Sequence, residues 1–254
     1  MNYLNDIDSK NCVGVTCKSV NNGDFIITNY KSYKNVRVRF IHTGYETTTH
    51  FSCIRLGSVK DPYSPSVCEV GVVGVKYPMK INGKEVKEYS LWRSMLNRCY
   101  SCSKYPTYKL CEVSDNFKSY EYFYDWCNNQ IGFGNEGWQL DKDLLIKGNK
   151  VYSEYSCVFL PTEINIALIK RDSRRGEYLI GVYQGKASNK FISQISIGLK
   201  SQKYLGSFNT EIEAFDAYKQ AKENHLKELA NKWKDKIDIR AYHALMNYNV
   251  NIDD

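Results

Sequence analysis

Three clusters of oxygen- and nitrogen-bearing side chains stand out as able to do chemistry. The first is Asp141-Lys142-Asp143, followed by Asn149 and Asn165. Gln139–Leu145 reads as a strand, so Asp141 and Asp143 share one face, with Lys142 between them. Lys147-Gly148-Asn149-Lys150 reads as a tight turn, and Cys157–Phe159 as a second strand. A short helix opens near Pro161-Thr162, with Ile164, Ala167 and Leu168 at helical spacing and Asn165 among them. A carboxylate on the first strand and an amide on the helix place hard oxygen atoms close together, the donor set of a divalent-metal and phosphate site.

The second cluster is cationic. In Val36-Arg37-Val38-Arg39-Phe40, strict alternation puts the apolar side chains on one face and Arg37 and Arg39 on the other. The third lies in residues 178–208, where Tyr183, Gln184, Lys186, Lys190, Gln194, Ser196 and Lys203 are polar side chains on or beside three expected strands. Gln can bond adenine edges with two hydrogen bonds, and Lys can meet phosphate or guanine.

The elements that position these groups follow from pattern. Residues 1–85 alternate as short strands (Asp24–Thr28, Val36–Ile41, His50–Arg55), punctuated by Gly23, Gly44 and Gly57, and predict a small antiparallel barrel or sandwich with one basic face. Pro62, Pro65, Gly71, Gly74, Pro78 and Gly83 mark residues 61–85 as loop or linker. Ser90 is the expected cap of a helix over Leu91–Tyr100, and a second helix is expected from about Ser119 to Asn129, burying Phe123, Trp126 and Cys127. Strands at Tyr178–Gln184, Lys190–Ile197 and Lys203–Phe208 precede Thr210-Glu-Ile-Glu213. There the threonine hydroxyl and the glutamate can cap a helix reciprocally. Ala214, Ala217, Tyr218 and Ala221 let that helix lie close to a sheet. The expected class is α+β, in three modules at 1–85, 86–170 and 175–240.

Composition narrows the partners. The net charge is +7, distributed as +4 over residues 1–88, −1 over 89–165, +6 over 166–240 and −2 from Ala241 onward. Basic ends around a near-neutral centre suit a polyanion such as double-stranded DNA. Tyr is abundant, at 21 residues, and suits wet interfaces that combine flat contact area with hydrogen bonding. No apolar run approaches the ~20 residues of a membrane span, and Met-Asn-Tyr-Leu-Asn-Asp is not a secretory signal. A cytoplasmic protein with no membrane partner is expected, its nine Cys reduced. Cys99-x2-Cys102 with Cys111 and Cys127 superficially suggests zinc. Cys99 and Cys127 fall on apolar helix faces and no second C-x2-C exists, so structural zinc is not expected.

Two resemblances organise these readings. The segment Trp138–Asn165 resembles the HNH, or ββα-metal, endonucleases, with Asp141-Lys142 at the place of the family's Asp-His pair, Asn149 at the turn and Asn165 on the helix. The family's motif implies Asp141, Lys142, Asn149 and Asn165 as catalytic positions, with Asp141 and Asn165 holding Mg²⁺ or another divalent metal. The family's His activates water; an ammonium cannot accept a proton, so Lys142 departs from the motif where the base should be. Trp92…Phe123…Trp126 resembles the helical lead-in of phage HNH proteins. Val38-Arg39-Phe40 with Thr43-Gly44-Tyr45 is similar to a segment of phage nuclease-like proteins. The second resemblance covers residues 178–236. There Tyr-x-x-Gly-Val, Gly-Lys, Tyr-Leu-Gly-x-Phe and Thr-x-x-Glu-Ala occur in the order of the AP2 DNA-binding domain, which implies that the sheet's outer face reads DNA. Phe191 stands where that family commonly has Trp, and Lys, Gln and Ser replace its usual Arg. Together these imply a homing-type phage protein acting in an infected bacterial cytoplasm. It is either a DNA-binding protein with weakened or lost cleavage or an active metal-dependent endonuclease or nickase. A protein that uses the same folds to bind another protein is the third possibility.

Overall fold

In the computed structural model, which describes residues 11–101, 108–169, 177–185, 189–198 and 201–254, the chain is mixed α+β with antiparallel sheets. It divides into two units, Met1–Trp126 and Cys127–Asp254.

The first unit opens with a four-stranded antiparallel meander, β1 (Thr16–Ser19), β2 (Gly23–Ser32), β3 (Asn35–Phe40) and β4 (Glu46–Thr49). Alternation along β3 is strict. Val36, Val38 and Phe40 are buried, while Arg37 and Arg39 are exposed. The apolar face packs with Phe25 and Ile27 against Phe51 and Ile54 of a short helix, α1 (Phe51–Arg55). This is a single sheet covered on one face, where the sequence suggested a barrel or sandwich. His50–Arg55, expected as a strand, is largely this helix. In so short a run the apolar spacing fits either period, and Phe51 and Ile54, three residues apart, both reach the core as one helical face.

Residues 61–85 contain the small hairpin β5 (Lys80–Ile81) and β6 (Lys84–Glu85), and are otherwise irregular but tied down. The buried Asp61 carboxylate accepts from the Thr43 hydroxyl at 2.5 Å and the Tyr63 N–H at 2.9 Å. Helix α2 (Lys87–Tyr100) starts earlier than expected, with Val86 as N-cap, so Ser90 lies inside it. It is followed by β7 (Glu112–Val113), α3 (Asp115–Lys118) and α4 (Tyr120–Asn128). The Trp92 indole N–H donates to the Phe117 carbonyl at 2.7 Å, and Met95, Leu96, Tyr120 and Phe123 are buried.

In the second unit, β8 (Trp138–Asp141), β9 (Val151–Tyr152), β10 (Val158–Pro161) and α5 (Thr162–Leu168) follow in order. β8 and β10 are antiparallel, with Asp141 opposite Val158 and Gln139 opposite Leu160. A three-stranded antiparallel sheet follows, in order β11 (Val182–Gln184), β12 (Phe191–Ser196) and β13 (Gln202–Phe208), with a bulge at Ser193/Gln194. The capping box forms as its sequence requires. The Thr210 hydroxyl accepts from the Glu213 N–H at 3.3 Å, and Glu213 accepts from the Thr210 N–H at 3.2 Å.

Helix α6 (Glu211–Trp233) is about 34 Å long at ~1.5 Å per residue, and it serves two cores. Ala214, Phe215 and Tyr218 pack with Ile180, Val182 and Ile195 of the sheet. Leu226, Leu229 and Ala230 pack with Val158, Leu160, Ile164 and Ala167, together with Ala241 and Leu245 of α7 (Ile239–Met246). Between the two cores, the buried Lys222 ammonium donates to the Ala167 carbonyl at the end of α5, one of the carbonyls that a helix leaves unpaired.

Candidate functional site

Asp141 ends β8, where the chain leaves the ladder and two backbone N–H groups lose their strand partners. Its Oδ1 accepts both, from Asp143 at 3.0 Å and Leu144 at 2.8 Å. Burial pushes the carboxyl's pKa up and the Asp143 charge adds to this; the two backbone bonds oppose it. Oδ2 has no hydrogen-bond partner among the described residues.

Lys142 points the other way. Its side chain is buried, and Nζ donates to Asp143 Oδ1 at 2.5 Å and to the Asn149 carbonyl at 2.9 Å, with the Tyr152 ring centroid 5.7 Å away. Asn149 closes the same loop from the other side. Its amide nitrogen donates to the carbonyls of Lys142 and Val151 at 2.8 and 2.7 Å, and its Oδ1 accepts from the Val151 N–H at 3.1 Å. Lys142 and Asn149 therefore hold the turn that presents Asp141.

Asn165, on α5, donates its amide to Gln139 Oε1. Gln139 precedes Asp141 by two residues, so both lie on one face of β8, and Asn165 is tied to that face. Asn165 Oδ1 has no partner among the described residues. Asp141 Oδ2 and Asn165 Oδ1 are both hard oxygen donors, and Mg²⁺ is commonly held by one or two protein oxygens with water completing the shell. These residues fit such an ion. Among the described residues no group of three or more His, Cys, Asp and Glu side chains is placed to hold a metal. Cys99, Cys111 and Cys127 are buried, and Cys102 lies outside the described residues.

Gln139 was not singled out in the sequence, and neither were Lys147 and Tyr248. Lys147 Nζ donates to the Asn249 carbonyl at 2.8 Å and to Asp254 Oδ2 at 2.5 Å, which ties the loop after Asp141 to the chain beyond α7. Burial, with Asp254, Asp141 and Asp143 nearby, pushes the Tyr248 phenol up to about 12. Only the long sequence separation, over 100 residues, hid these contacts.

The cationic strand keeps both its side chains in the open. Arg37 lies opposite Thr48, and Arg39 opposite Glu46; neither forms an ion pair among the described residues. On the three-stranded sheet, residues directly opposite each other share a face. Tyr183 pairs with Ile192, Gln194 with Tyr204 and Ser196 with Gln202, all on the face away from the buried Ser193 and Ile195. Gln184 and Lys203 have the opposite parity. Gln184 is held by the Tyr178 hydroxyl at 2.8 Å, while Lys203 is exposed on the edge strand. Lys190 is exposed just before β12, and Lys186 lies outside the described residues. Tyr204 and Gln202 are the outward residues that pattern reading missed; one residue at the bulge shifts the parity of β13.

No protein-family model, curated protein or solved structure matches the chain. No helix among the described residues is long and apolar enough to cross a membrane.

Proposed function

We propose that this is a DNA-binding protein built on an HNH-type ββα scaffold, with an AP2-like sheet as a reader and with cleavage weakened or lost. Lys142 carries the reading. At the position where the HNH motif has its water-activating His, an ammonium donates to Asp143 and to the Asn149 carbonyl. A group engaged in this way cannot take a proton from water. Its work is to hold the loop. Exposed Arg37 and Arg39 supply phosphate contacts that are independent of sequence.

A second reading is favoured by one observation. Asp141 Oδ2 and Asn165 Oδ1 have no partner among the described residues and could hold a divalent cation. Such an ion supplies positive charge at a phosphate oxygen. The chain's own residues would then act as a metal-dependent nuclease or nickase with water activated by something other than Lys142. Both readings suit a phage protein at work in a bacterial cytoplasm.

Cleavage of supercoiled and linear DNA with Mg²⁺ or Mn²⁺ separates them. No cleavage by the native chain, duplex binding at low salt, and cleavage gained by Lys142→His support the first. Metal-dependent nicking by the native chain that disappears in Asp141→Ala supports the second. Absence of both cleavage and DNA binding refutes both.

A further inference from the structure

We propose that the outward face of the three-stranded sheet is a stacking platform for single-stranded nucleic acid, with Tyr183 and Tyr204 as its stacking groups. The inference rests on the nucleic-acid reading above and changes its substrate from duplex to unpaired strand at this sheet.

Away from α6 the register places Tyr183, Ile192, Gln194, Tyr204, Ser196 and Gln202, with no charged side chain among them. A duplex presents its phosphates to the contact face, which then needs cations, whereas an unpaired strand can lay its bases on the face and carry its phosphates along the rim. The meander of the first unit has cations in Arg37 and Arg39; the six positions above have none, and Lys190 and Lys203 stand only at their margin among the described residues. The face has rings instead. Tyr183 is 40% exposed and Tyr204 62% exposed, and neither packs on another ring among the described residues.

Spacing favours splayed bases. Tyr183 stands opposite Ile192 and Tyr204 opposite Gln194, on the two outer strands and one two-residue step apart. With strands ~4.8 Å apart and ~3.4 Å per residue, the two anchors are about 12 Å apart. Stacked bases rise only ~3.4 Å per step, so the two rings take separate, unstacked bases. A duplex offers no such faces, since each base is covered by its neighbours, whereas an unpaired strand does. Gln194 lies between the rings, with both amide donors and an acceptor for a base edge. Lys190, before β12, and Lys203, on the free edge of β13, stand at the rim, where a strand's phosphates would pass.

The test is fluorescence anisotropy of the full chain with a labelled oligothymidylate of about 20 nucleotides and with a duplex of the same length. Tyr183→Ala and Tyr204→Ala should each weaken single-strand binding roughly tenfold and duplex binding, which leans on Arg37 and Arg39, by much less. Tyr183→Phe and Tyr204→Phe, which keep the ring, should bind as the native chain does. Both positions are exposed, so unchanged thermal unfolding is expected for all four variants. Alanine variants that bind the single strand normally, or that lose duplex binding equally, overturn the platform. Duplex binding with no single-strand binding by the native chain overturns it too, and leaves the DNA-binding reading standing. Failure to bind either nucleic acid at low salt overturns both.

Discussion

Replacing Lys142 by Met keeps the aliphatic stem and removes only the ammonium, so it isolates what that charge does. The side chain is 7% exposed and its partner carboxylate, Asp143, is 56% exposed. Breaking a fully buried pair costs ~3–5 kcal/mol because the surviving charge is stranded. Asp143 is not stranded; it rehydrates, and its share of the loss falls to that of a surface pair, ~0–1 kcal/mol. The Asn149 carbonyl loses a charge-assisted bond, worth ~1.5–3 kcal/mol. Replacing a cation near the Tyr152 ring by an apolar group costs at most ~1 kcal/mol more. The expected destabilisation is about 2–4 kcal/mol. For a chain of this size that lowers Tm by roughly 4–16 °C, since each kcal/mol shifts it ~2–4 °C. Thermal unfolding followed by circular dichroism measures this, and Asp143→Asn, which leaves the buried ammonium with neutral acceptors only, should lower Tm as well. A Lys142→Met chain as stable as the native one would refute the loop-holding role. It would leave the ammonium available to a ligand, with Lys142 no longer needed to hold its loop.

Asp141→Asn should be neutral or stabilising at neutral pH. The folded chain holds the Asp141 carboxyl's pKa above its ordinary value, chiefly through burial, so its contribution is fully present below the unfolded pKa and is lost as pH rises through the folded one. The variant should flatten that fall, seen in urea unfolding between mildly acid and neutral pH; an unchanged slope would contradict it. Gly181 has φ +78°, and an added Cβ would meet the Tyr218 ring at 2.0 Å. Gly181→Ala should cost roughly 2–4 kcal/mol through backbone strain and overpacking of sheet on helix, and a Tm within 2 °C of the native chain, which is about 1 kcal/mol or less, would show that Tyr218 can move aside. Arg37→Ala and Arg39→Ala should each weaken duplex binding uniformly across sequences and reduce the salt-dependence slope by about 1. Anisotropy titrations over a range of salt concentrations test this, and a loss confined to one sequence would assign these residues to base reading instead.

Where one local signal dominates, it is enough to set the local structure. The Val36-Arg37-Val38-Arg39-Phe40 alternation has one reading because period two along a strand must put unlike faces on opposite sides. Thr210 and Glu213 cap α6 because the partners lie three residues apart and need nothing else. The strands and helix around Asp141 were legible in outline, as was the α+β class, but the first strand ends at Asp141 and not at Leu145, so Asp143 lies beyond the ladder and does not share a strand face with Asp141.

Tertiary packing decided the rest. His50–Arg55 fits either period, and the core that takes both Phe51 and Ile54 made it helical. The start of α2 at Lys87 is set by Val86 and the hairpin before it, not by the nominal cap at Ser90. Lys142 could have faced a phosphate or its own loop; the Asn149 carbonyl, brought back by the turn, selected the loop. That α6 serves two cores, with Lys222 on the carbonyl of Ala167 between them, depends on residues 55 positions apart. Contacts of that range are set by how whole elements pack, and no spacing within a single element encodes them.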